Sequence, residues 1–200
     1  RHLVVVEKPS GMRTVSHSSE RGHSRRRREL HPALQDVLPE LIARHEQRAG
    51  MAKKRGRATG GSLPAVRLVH RIDRETSGLL VFARSQEAMN GLMKQFKEHS
   101  VDRLYFTAAA GRVEAQRFES SLVDDRGDGR RGSSPLKGAG KRAVTHVRPL
   151  EFLPQMTLLE CRLETGRTHQ IRIHLSEAGH PVCGDKRYHQ PLFAPAIPDV

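Results

Sequence analysis

A charged loop that runs directly into an apolar strand constrains this chain more than any other feature. Residues 70–78 read HRIDRETSG, and an apolar run at 79–83 follows without a break. The loop places Asp73 between Arg71 and Arg74, and flanking cations favour the ionised form of an aspartate. Catalytic side chains often lie on loops that a rigid strand anchors, although structural ion pairs are far commoner. Asp73 is therefore a candidate catalytic carboxylate, with a surface salt-bridge loop as the alternative.

The net charge of +13 is concentrated in three polar segments. Residues 21–28 hold five Arg, residues 53–57 hold four Lys or Arg, and residues 126–142 hold six bases and one acid. Of 35 bases and 22 acids in the chain, 20 and 21 lie elsewhere, so the rest is near neutral. Excess charge on Gly- and Ser-containing loops is expected of a protein that binds RNA or DNA, and solubilising tails are the alternative. These segments predict three basic loops, at residues 13–31, 50–63 and 124–142.

Apolar runs of strand length recur along the chain. They lie at residues 3–6, 66–69, 79–83, 104–110, 119–123, 143–147 and 157–164. In the last run, period-two alternation places Leu159, Cys161 and Leu163 on one side, which is typical of a strand with one buried face. The last two runs predict an antiparallel pair.

Three segments predict helices. Pro32 suits the first position of one helix. Its apolar residues recur at helical spacing, namely Leu34, Val37, Leu38, Leu41 and Ile42. Ser85 is a suitable N-cap for an amphipathic helix over residues 86–98, whose methionines we expect in the core. Residues 168–178 fit two periods, but Thr168 as N-cap and Gly179 beyond the end favour a short helix. The chain is thus predicted to be α/β (α+β), with a mixed, mainly antiparallel central sheet and flanking helices.

Length and cysteine content narrow the class of protein further. A chain of 200 residues suits one domain over residues 1–200, and its apolar runs are too short to cross a bilayer. Cys161 and Cys183 cannot supply a disulfide framework and are expected to be buried thiols. Histidines at positions 169, 174 and 180 lie between them, which raises a zinc-dependent nucleic-acid protein as an alternative. Zinc sites generally show closer ligand pairs, so we expect no metal.

Four ordered motifs extend over nearly the whole chain. They are EKPSGM at 7–12, HRIDRETSG at 70–78, LYFTA at 104–108, and TGRTHQIRIHL at 165–175 with GHP at 179–181 and GD at 184–185. Together they resemble the RNA pseudouridine synthases of the RluA type. The chain departs from that pattern at Glu7, where Asn is usual, and after Tyr188, where a closing strand is usual. We therefore expect the domain to be trimmed at both ends.

The resemblance implies the pseudouridine synthase catalytic fold and an RNA-modifying enzyme. Such an enzyme isomerises specific uridines in ribosomal or transfer RNA by flipping the base, breaking the glycosidic bond and re-forming it in an aspartate-dependent reaction. No cofactor is implied. A noncatalytic RNA-binding module of the same fold is the alternative. We expect RNA as the partner, no membrane association, a monomer and a cytoplasmic location.

The same resemblance assigns three catalytic residues. Asp73 is the essential carboxylate, and Arg172 pairs with it to keep it ionised and oriented. Tyr105 lies against the uracil and is a candidate general base, because a phenol can both stack and accept a proton.

Three further residues are expected to contact the RNA. Arg71 would fill the space of the flipped nucleotide or contact its phosphate. Arg167 and His169 would position the RNA, and a structural role at the start of a helix is the alternative for both. Lys8 and Pro9 are expected to be architectural.

Overall fold

The chain consists of two units, Arg1–Ser100 and Val101–Val200. The computed structural model describes residues 2–16, 32–50, 63–134, 136 and 138–189. Most of the two basic loops predicted at 13–31 and 50–63 lies outside the described residues. The prediction of one domain over residues 1–200 stays a prediction.

The first unit contains a three-stranded antiparallel sheet. Strands β1 (Leu3–Lys8) and β2 (Arg67–Leu68) flank the central strand β3 (Gly78–Ala83). The predicted strands are confirmed, although β2 has two residues where four were expected. The loop that carries Asp73 connects β2 to β3, and β1 pairs with β3 so that Lys8 lies opposite Gly78. The strand register thus brings Lys8 to the end of the Asp73 loop.

Helix α1 (Leu34–Arg48) buries one of its faces, as its apolar spacing predicts. Leu34, Leu38 and Ile42 are buried, whereas Leu41 is 47% exposed and therefore does not belong to the buried stripe. The prediction that Pro32 occupies the first helical position is wrong. Ala33 is the N-cap, so Pro32 precedes the cap in the incoming chain.

Helix α2 (Gln86–Lys97) begins where the sequence predicts. The Ser85 hydroxyl accepts a hydrogen bond from the Ala88 N–H at 3.2 Å, which confirms the N-cap. The expectation that the methionines lie in the core is wrong for Met93, which is 47% exposed. Amphipathic spacing predicts which face turns inward but not how deeply that face is buried.

The second unit contains a five-stranded antiparallel sheet. Its strands are β4 (Leu104–Ala110), β5 (Gln116–Val123), β6 (Gly132–Ser133), β7 (Lys141–Phe152) and β8 (Met156–Leu163), in the order β4-β8-β7-β5-β6. The predicted pair of β7 and β8 is confirmed, with Val147 opposite Cys161. Mixed α/β structure with antiparallel pairing confirms the predicted fold class, although the pairing is divided between two sheets among the described residues.

The core of the second unit combines strands with helix α3 (Gln170–Glu177). Its buried cluster contains Ala109, Val113, Val147, Leu159, Cys161 and Leu175. Burial raises the pKa of the Cys161 thiol to about 12, so it stays protonated. Cys183 is exposed, and the expectation that it is buried is wrong because it lies in a turn after Val182.

The sequence predicts the end of α3 correctly but not its start. Gly179 follows the helix with φ +85°, and His180 N–H donates to the Leu175 carbonyl at 2.8 Å, as in a Schellman motif. The predicted Thr168 N-cap is wrong. His169 holds that position with φ 59° and makes no side-chain cap. Within the described residues, no helix has the length and apolar character needed to cross a membrane.

Candidate active site

The Asp73 loop folds as a tight turn at one end of the first sheet. Asp73 is half-buried, whereas Arg71 and Arg74 are both exposed, and the Arg74 Nε donates to the Gly11 carbonyl at 3.0 Å. The Thr76 N–H donates to the Asp73 carbonyl at 3.2 Å, which closes a turn through Arg74 and Glu75. The carboxylate predicted from sequence therefore lies on the first residue of a short, hydrogen-bonded turn.

Lys8 is the principal anchor of this turn. Its side chain is fully buried, and its ammonium donates to the carbonyls of Pro9 at 2.8 Å, Met12 at 2.6 Å and Arg74 at 3.0 Å. These bonds use all three N–H groups of the ammonium. Burial lowers the pKa of Lys8, while the carboxylates of Glu75 and Asp73 oppose that shift. The architectural role expected for Lys8 thus includes holding the residue that follows Asp73.

The rest of residues 8–14 binds the backbone on both sides of Asp73. The Gly11 N–H donates to the Arg74 carbonyl at 2.9 Å, and the Ser10 hydroxyl donates to the Glu75 carbonyl at 2.7 Å. On the other side, the buried Thr14 hydroxyl donates to the Ile72 carbonyl at 3.0 Å. Carbonyl groups before and after Asp73 are therefore fixed, so the carboxylate is held before any substrate arrives.

His70 fixes the entry to the loop. Its Nε2 accepts the N–H of Val81 at 3.0 Å, and its ring stacks on Phe96 with centroids 4.6 Å apart. An imidazole nitrogen that accepts a backbone N–H carries no proton, so the neutral ring is protonated at Nδ1. This contact joins the start of the loop to β3 and α2. Sequence reasoning assigned no role to His70, although it opens the motif.

Tyr105 lies on β4 in the second unit. Its ring is half-buried against the Ala109–Cys161 core cluster, whereas the next residue, Phe106, is 66% exposed on the other side of the strand. The strand therefore turns Tyr105 inward by ordinary period-two alternation. A ring with packing on one side is held in place, which suits either a stacking platform or a structural role.

Arg103 connects Tyr105 to the loop that precedes α3. Its Nη2 donates to the Glu164 carbonyl at 2.5 Å, and a Cβ on Gly166 would lie 2.6 Å from its Nη1. Burial lowers the pKa of Arg103, with Tyr105 opposing and Arg167 adding to the shift. The sequence analysis did not select Arg103. The signal available for it was its position two residues before Tyr105, which places both side chains on the same face of the strand.

A buried polar network sets the conformation of residues 165–170. The Gln170 amide oxygen accepts from the Thr165 hydroxyl at 2.8 Å and the Arg167 N–H at 3.0 Å. Its amide nitrogen donates to the Val144 carbonyl and the Thr145 hydroxyl, both at 2.9 Å. All the hydrogen-bonding groups of this buried side chain are used. The network fixes the loop that carries Arg167 and His169.

Arg172 forms a two-pronged ion pair within the second unit. Its Nε and Nη2 donate to the two carboxylate oxygens of Asp185, at 2.6 and 2.9 Å. The Asp185 side chain is 3% exposed. Burial alone would raise the pKa of Asp185, but hydrogen bonds from Arg172 and from the N–H groups of Arg187 and Tyr188 hold it below its usual range. Asp185 is thus an ionised partner of Arg172 that the sequence did not indicate.

His169 contacts the same turn through Tyr188. Its Nδ1 lies 2.8 Å from the Tyr188 hydroxyl, and the two rings meet edge to face with centroids 5.5 Å apart. Its left-handed backbone costs a histidine about 1 kcal/mol or more. Strained residues of this kind concentrate at functional sites.

The structure brings some of the predicted site residues together. In the second unit, His169 and Arg172 contact one turn. Arg71 and Asp73 share the loop of the first unit. The predicted pairing of Arg172 with Asp73 joins residues of different units and stays a prediction.

Metal ligation has no visible basis in the described part of the chain. No group of three or more His, Cys, Asp or Glu residues there is arranged to hold a metal ion. The first unit carries an aspartate on a fixed backbone turn, and the second unit carries hydrogen-bonded cationic side chains of the kind that contact a polyanion.

Comparison with known proteins identifies the family. A sequence model of the RNA pseudouridylate synthase family matches residues 2–177. The chain belongs to this family.

Relatives and solved structures agree with that placement. The chain is 37% identical over 189 residues to ribosomal large subunit pseudouridine synthase D of Zymomonas mobilis subsp. mobilis, covering 94% of this chain and 53% of that protein. It is 33% identical over 198 residues to the protein of the same name from Nitrosomonas europaea, covering 99% and 49%. The chain thus spans about half the length of these curated relatives. Human RNA Pseudouridylate Synthase Domain Containing 4 shares the fold, with a TM-score of 0.69 at 23% identity, over 98% of this chain and 70% of that one.

Proposed function

We propose that this protein isomerises uridine to pseudouridine in RNA. The reaction breaks the bond between ribose C1′ and base N1, rotates the uracil, and forms a bond between C1′ and C5, while C5 loses its proton and N1 gains one. It changes no oxidation state and transfers no phosphate. The observation that carries the proposal is the Asp73 turn, whose backbone is fixed on both sides of the carboxylate by residues 8–14. Membership of the RNA pseudouridylate synthase family supports uridine isomerisation as the reaction.

The catalytic roles follow from charge and position. Asp73 supplies the carboxylate that the bond exchange depends on. Tyr105 lies against the uracil and serves as the general base, supported by its half-buried ring on β4. Arg172 keeps Asp73 ionised, and its ion pair with Asp185 holds the guanidinium within the second unit.

The RNA contacts come from Arg71, Arg167 and His169. Arg71 lies on the Asp73 turn, where a guanidinium can replace a flipped base or bind its phosphate. Arg167 is exposed, and its Nε donates to the Arg142 carbonyl at 3.0 Å. This bond holds the Arg167 side chain against β7.

The substrate we favour is ribosomal RNA of the large subunit. Two curated relatives that cover most of this chain, those of Zymomonas mobilis and Nitrosomonas europaea, are named for that RNA, which favours it over transfer RNA. We further propose that the protein works in the cytoplasm as a monomer. These relatives are named synthases, which favours an enzyme over a noncatalytic RNA-binding module.

The test compares two aspartate variants. Asp73→Asn keeps the size of the side chain and removes its charge, and we expect pseudouridine formation to fall by about 1,000-fold or more while RNA affinity stays within a few-fold. Asp102→Asn is the matched control, because the Asp102 side chain is 80% exposed and lies 3.6 Å from Arg162. Retained turnover in Asp73→Asn would contradict the proposal.

A further inference from the structure

Two predicted site residues, His169 and Arg172, are held by one turn near the end of the described chain. Asp185 accepts both prongs of Arg172, and its Oδ1 also accepts the N–H of Arg187 at 2.8 Å and of Tyr188 at 3.1 Å. The Asp185 carboxylate therefore binds both the guanidinium of Arg172 and the backbone of its own turn. Tyr188 follows as a buried residue in that turn.

Tyr188 connects this ion pair to His169. Its hydroxyl lies 2.8 Å from His169 Nδ1, and the Arg172 guanidinium lies over its ring at 5.1 Å from the centroid. Asp185, Arg172, Tyr188 and His169 thus form one connected cluster. Leu122, Ala143 and Ile173 pack with Tyr188, so the ring is backed by the core.

The backbone of His169 has an unusual conformation for its position. The described residues contain two non-glycine residues with positive φ, His99 and His169. His99 follows the last turn of α2, where a left-handed residue commonly ends a helix. His169 stands instead before the first turn of α3, where an extended backbone is usual. Helix capping therefore does not account for its conformation.

We propose that Tyr188 is a positioning residue for uridine isomerisation, whose hydroxyl fixes the imidazole of His169 while Asp185 holds Tyr188 and Arg172 in one turn. This inference rests on the proposed function. Tyr188 acts through His169 and touches no reacting atom. Its hydroxyl selects one ring orientation of His169, so the imidazole meets the RNA without first being ordered.

The first experiment removes only the hydroxyl. Tyr188→Phe is expected to lower the single-turnover rate of pseudouridine formation by about tenfold, with the dissociation constant for RNA changed by less than about threefold. Thr157→Val is the matched control. It removes a buried hydroxyl that donates to the Gly111 carbonyl at 2.8 Å in the same unit, and we expect it to lower the melting temperature without changing the rate.

A double-mutant cycle separates positioning from stability. If Tyr188 acts through His169, Tyr188→Phe costs nothing further in a His169→Ala background, whereas independent effects multiply. Nitrogen-15 spectra of the histidine rings supply a second measurement, in which Tyr188→Phe shifts the His169 resonances. The inference would be overturned by unchanged His169 resonances, by an unchanged rate in Tyr188→Phe, or by rate effects of the two substitutions that multiply. Activity of the wild type would leave the proposed function standing in each case. A wild-type protein that forms no pseudouridine overturns both.

Discussion

Lys8 shows how one residue can determine the geometry of a candidate catalytic turn. A buried ammonium usually pairs with a carboxylate, but the hydrogen bonds of Lys8 go to three backbone carbonyls, one of which is that of Arg74. The carboxylate of Asp73 contributes at longer range by favouring the charged ammonium. Lys8 therefore links the end of β1 to the residue that follows Asp73.

Replacing Lys8 by methionine keeps most of the side-chain volume and removes the donors. We expect Lys8→Met to lower the free energy of unfolding by about 2–4 kcal/mol, because three carbonyls lose the bond from the ammonium. Pseudouridine formation should fall as well, since the Asp73 turn is no longer held. Denaturant unfolding and single-turnover kinetics measure the two effects.

The control for this change is Lys94→Met. Lys94 is 73% exposed and pairs with Glu98 at 3.9 Å, so its replacement should change the free energy of unfolding by less than about 0.5 kcal/mol. Equal stability of the Lys8 and Lys94 variants would contradict the role given to Lys8.

His174 gives the protein a specific pH dependence. It is buried between Thr145 and Ser120, whose hydroxyls lie 2.9 and 3.1 Å from its ring nitrogens, and burial lowers its pKa to about 4. The unfolded chain binds a proton at this histidine below about pH 6.5. Unfolding therefore takes up a proton between about pH 6.5 and 4, and stability falls as the pH falls through that range.

The expected decrease in stability between about pH 7 and pH 4 reaches about 3 kcal/mol from this group. His174→Gln should flatten the dependence of the unfolding free energy on pH in that window. An unchanged slope in His174→Gln would show that His174 is not the group responsible.

Several candidate site residues could be selected from the sequence. Asp73 could be selected because flanking bases and a following strand are visible there, and Tyr105 because its motif resembles that of the family. Asp185, Tyr188 and Arg103 could not be given a role, because their roles depend on partners 13 to 61 positions away. Such partners become visible only when the chain folds.

At the scale of elements, the start of α3 is determined by tertiary hydrogen bonds. Thr168 has a favourable N-cap side chain, yet the helix begins after His169 with no side-chain cap. Instead, Gln170 bonds back to Thr165 and Arg167 and across to β7. A cap prediction considers only neighbours in sequence, so it missed this arrangement. The end of α3 was predictable because a C′ glycine is a local requirement.

Gln170→Leu tests this element. The change removes all four hydrogen bonds of a buried amide, so we expect the free energy of unfolding to fall by about 2–4 kcal/mol. Activity should fall by more than the unfolded fraction explains, since Arg167 and His169 lose their support. Calorimetry measures the loss of stability, and single-turnover rates on the folded fraction measure the loss of activity.

Gln86→Leu provides the comparison, because Gln86 is exposed on α2 and bonds Asn90 at 2.9 Å. Its unfolding free energy should lie within about 0.5 kcal/mol of wild type. A Gln170 variant with wild-type activity per folded molecule would refute the link between the network and the site.

At the scale of the whole molecule, the basic segment at residues 126–142 has half of its bases paired within the protein. In residues 126–142, Arg126 pairs with Asp128 at 2.6 Å, Arg142 with Glu119 at 2.6 Å, and Arg131 with Asp124. These three bases are thus compensated within the protein. The five Arg at 21–28 have no acid within that stretch of sequence, and they lie outside the described residues.

Replacing the five Arg at 21–28 by Gln should therefore weaken RNA binding across sequences. On single-stranded RNA, the slope of log affinity against log salt should decrease by about 0.7 for each phosphate that the protein no longer neutralises. Arg126→Gln with Arg131→Gln serves as the control and should change the slope less, because those bases are already paired. Equal slopes for both variants and the wild type would refute this division of charge.

Composition and periodicity predicted a mixed α/β chain with antiparallel pairing, but not the separation into two sheets. Strand runs are visible in the sequence, whereas the partner of each strand depends on register and long connections. Strand β2 shows the limit of prediction from the sequence. It has only two residues, so its pairing with β3 is determined by the rest of the sheet and not by its own length.

The most direct test of the proposed activity is to map pseudouridine in unmodified large-subunit ribosomal RNA after incubation with the protein. Base-specific chemical labelling followed by primer extension locates each modified nucleotide, with Asp73→Asn and Asp102→Asn run in parallel. We expect new pseudouridines at discrete positions with the wild type and with Asp102→Asn, and none with Asp73→Asn. Pseudouridine formed equally by Asp73→Asn, or its absence from every RNA that the wild type binds, would contradict an aspartate-dependent uridine isomerase.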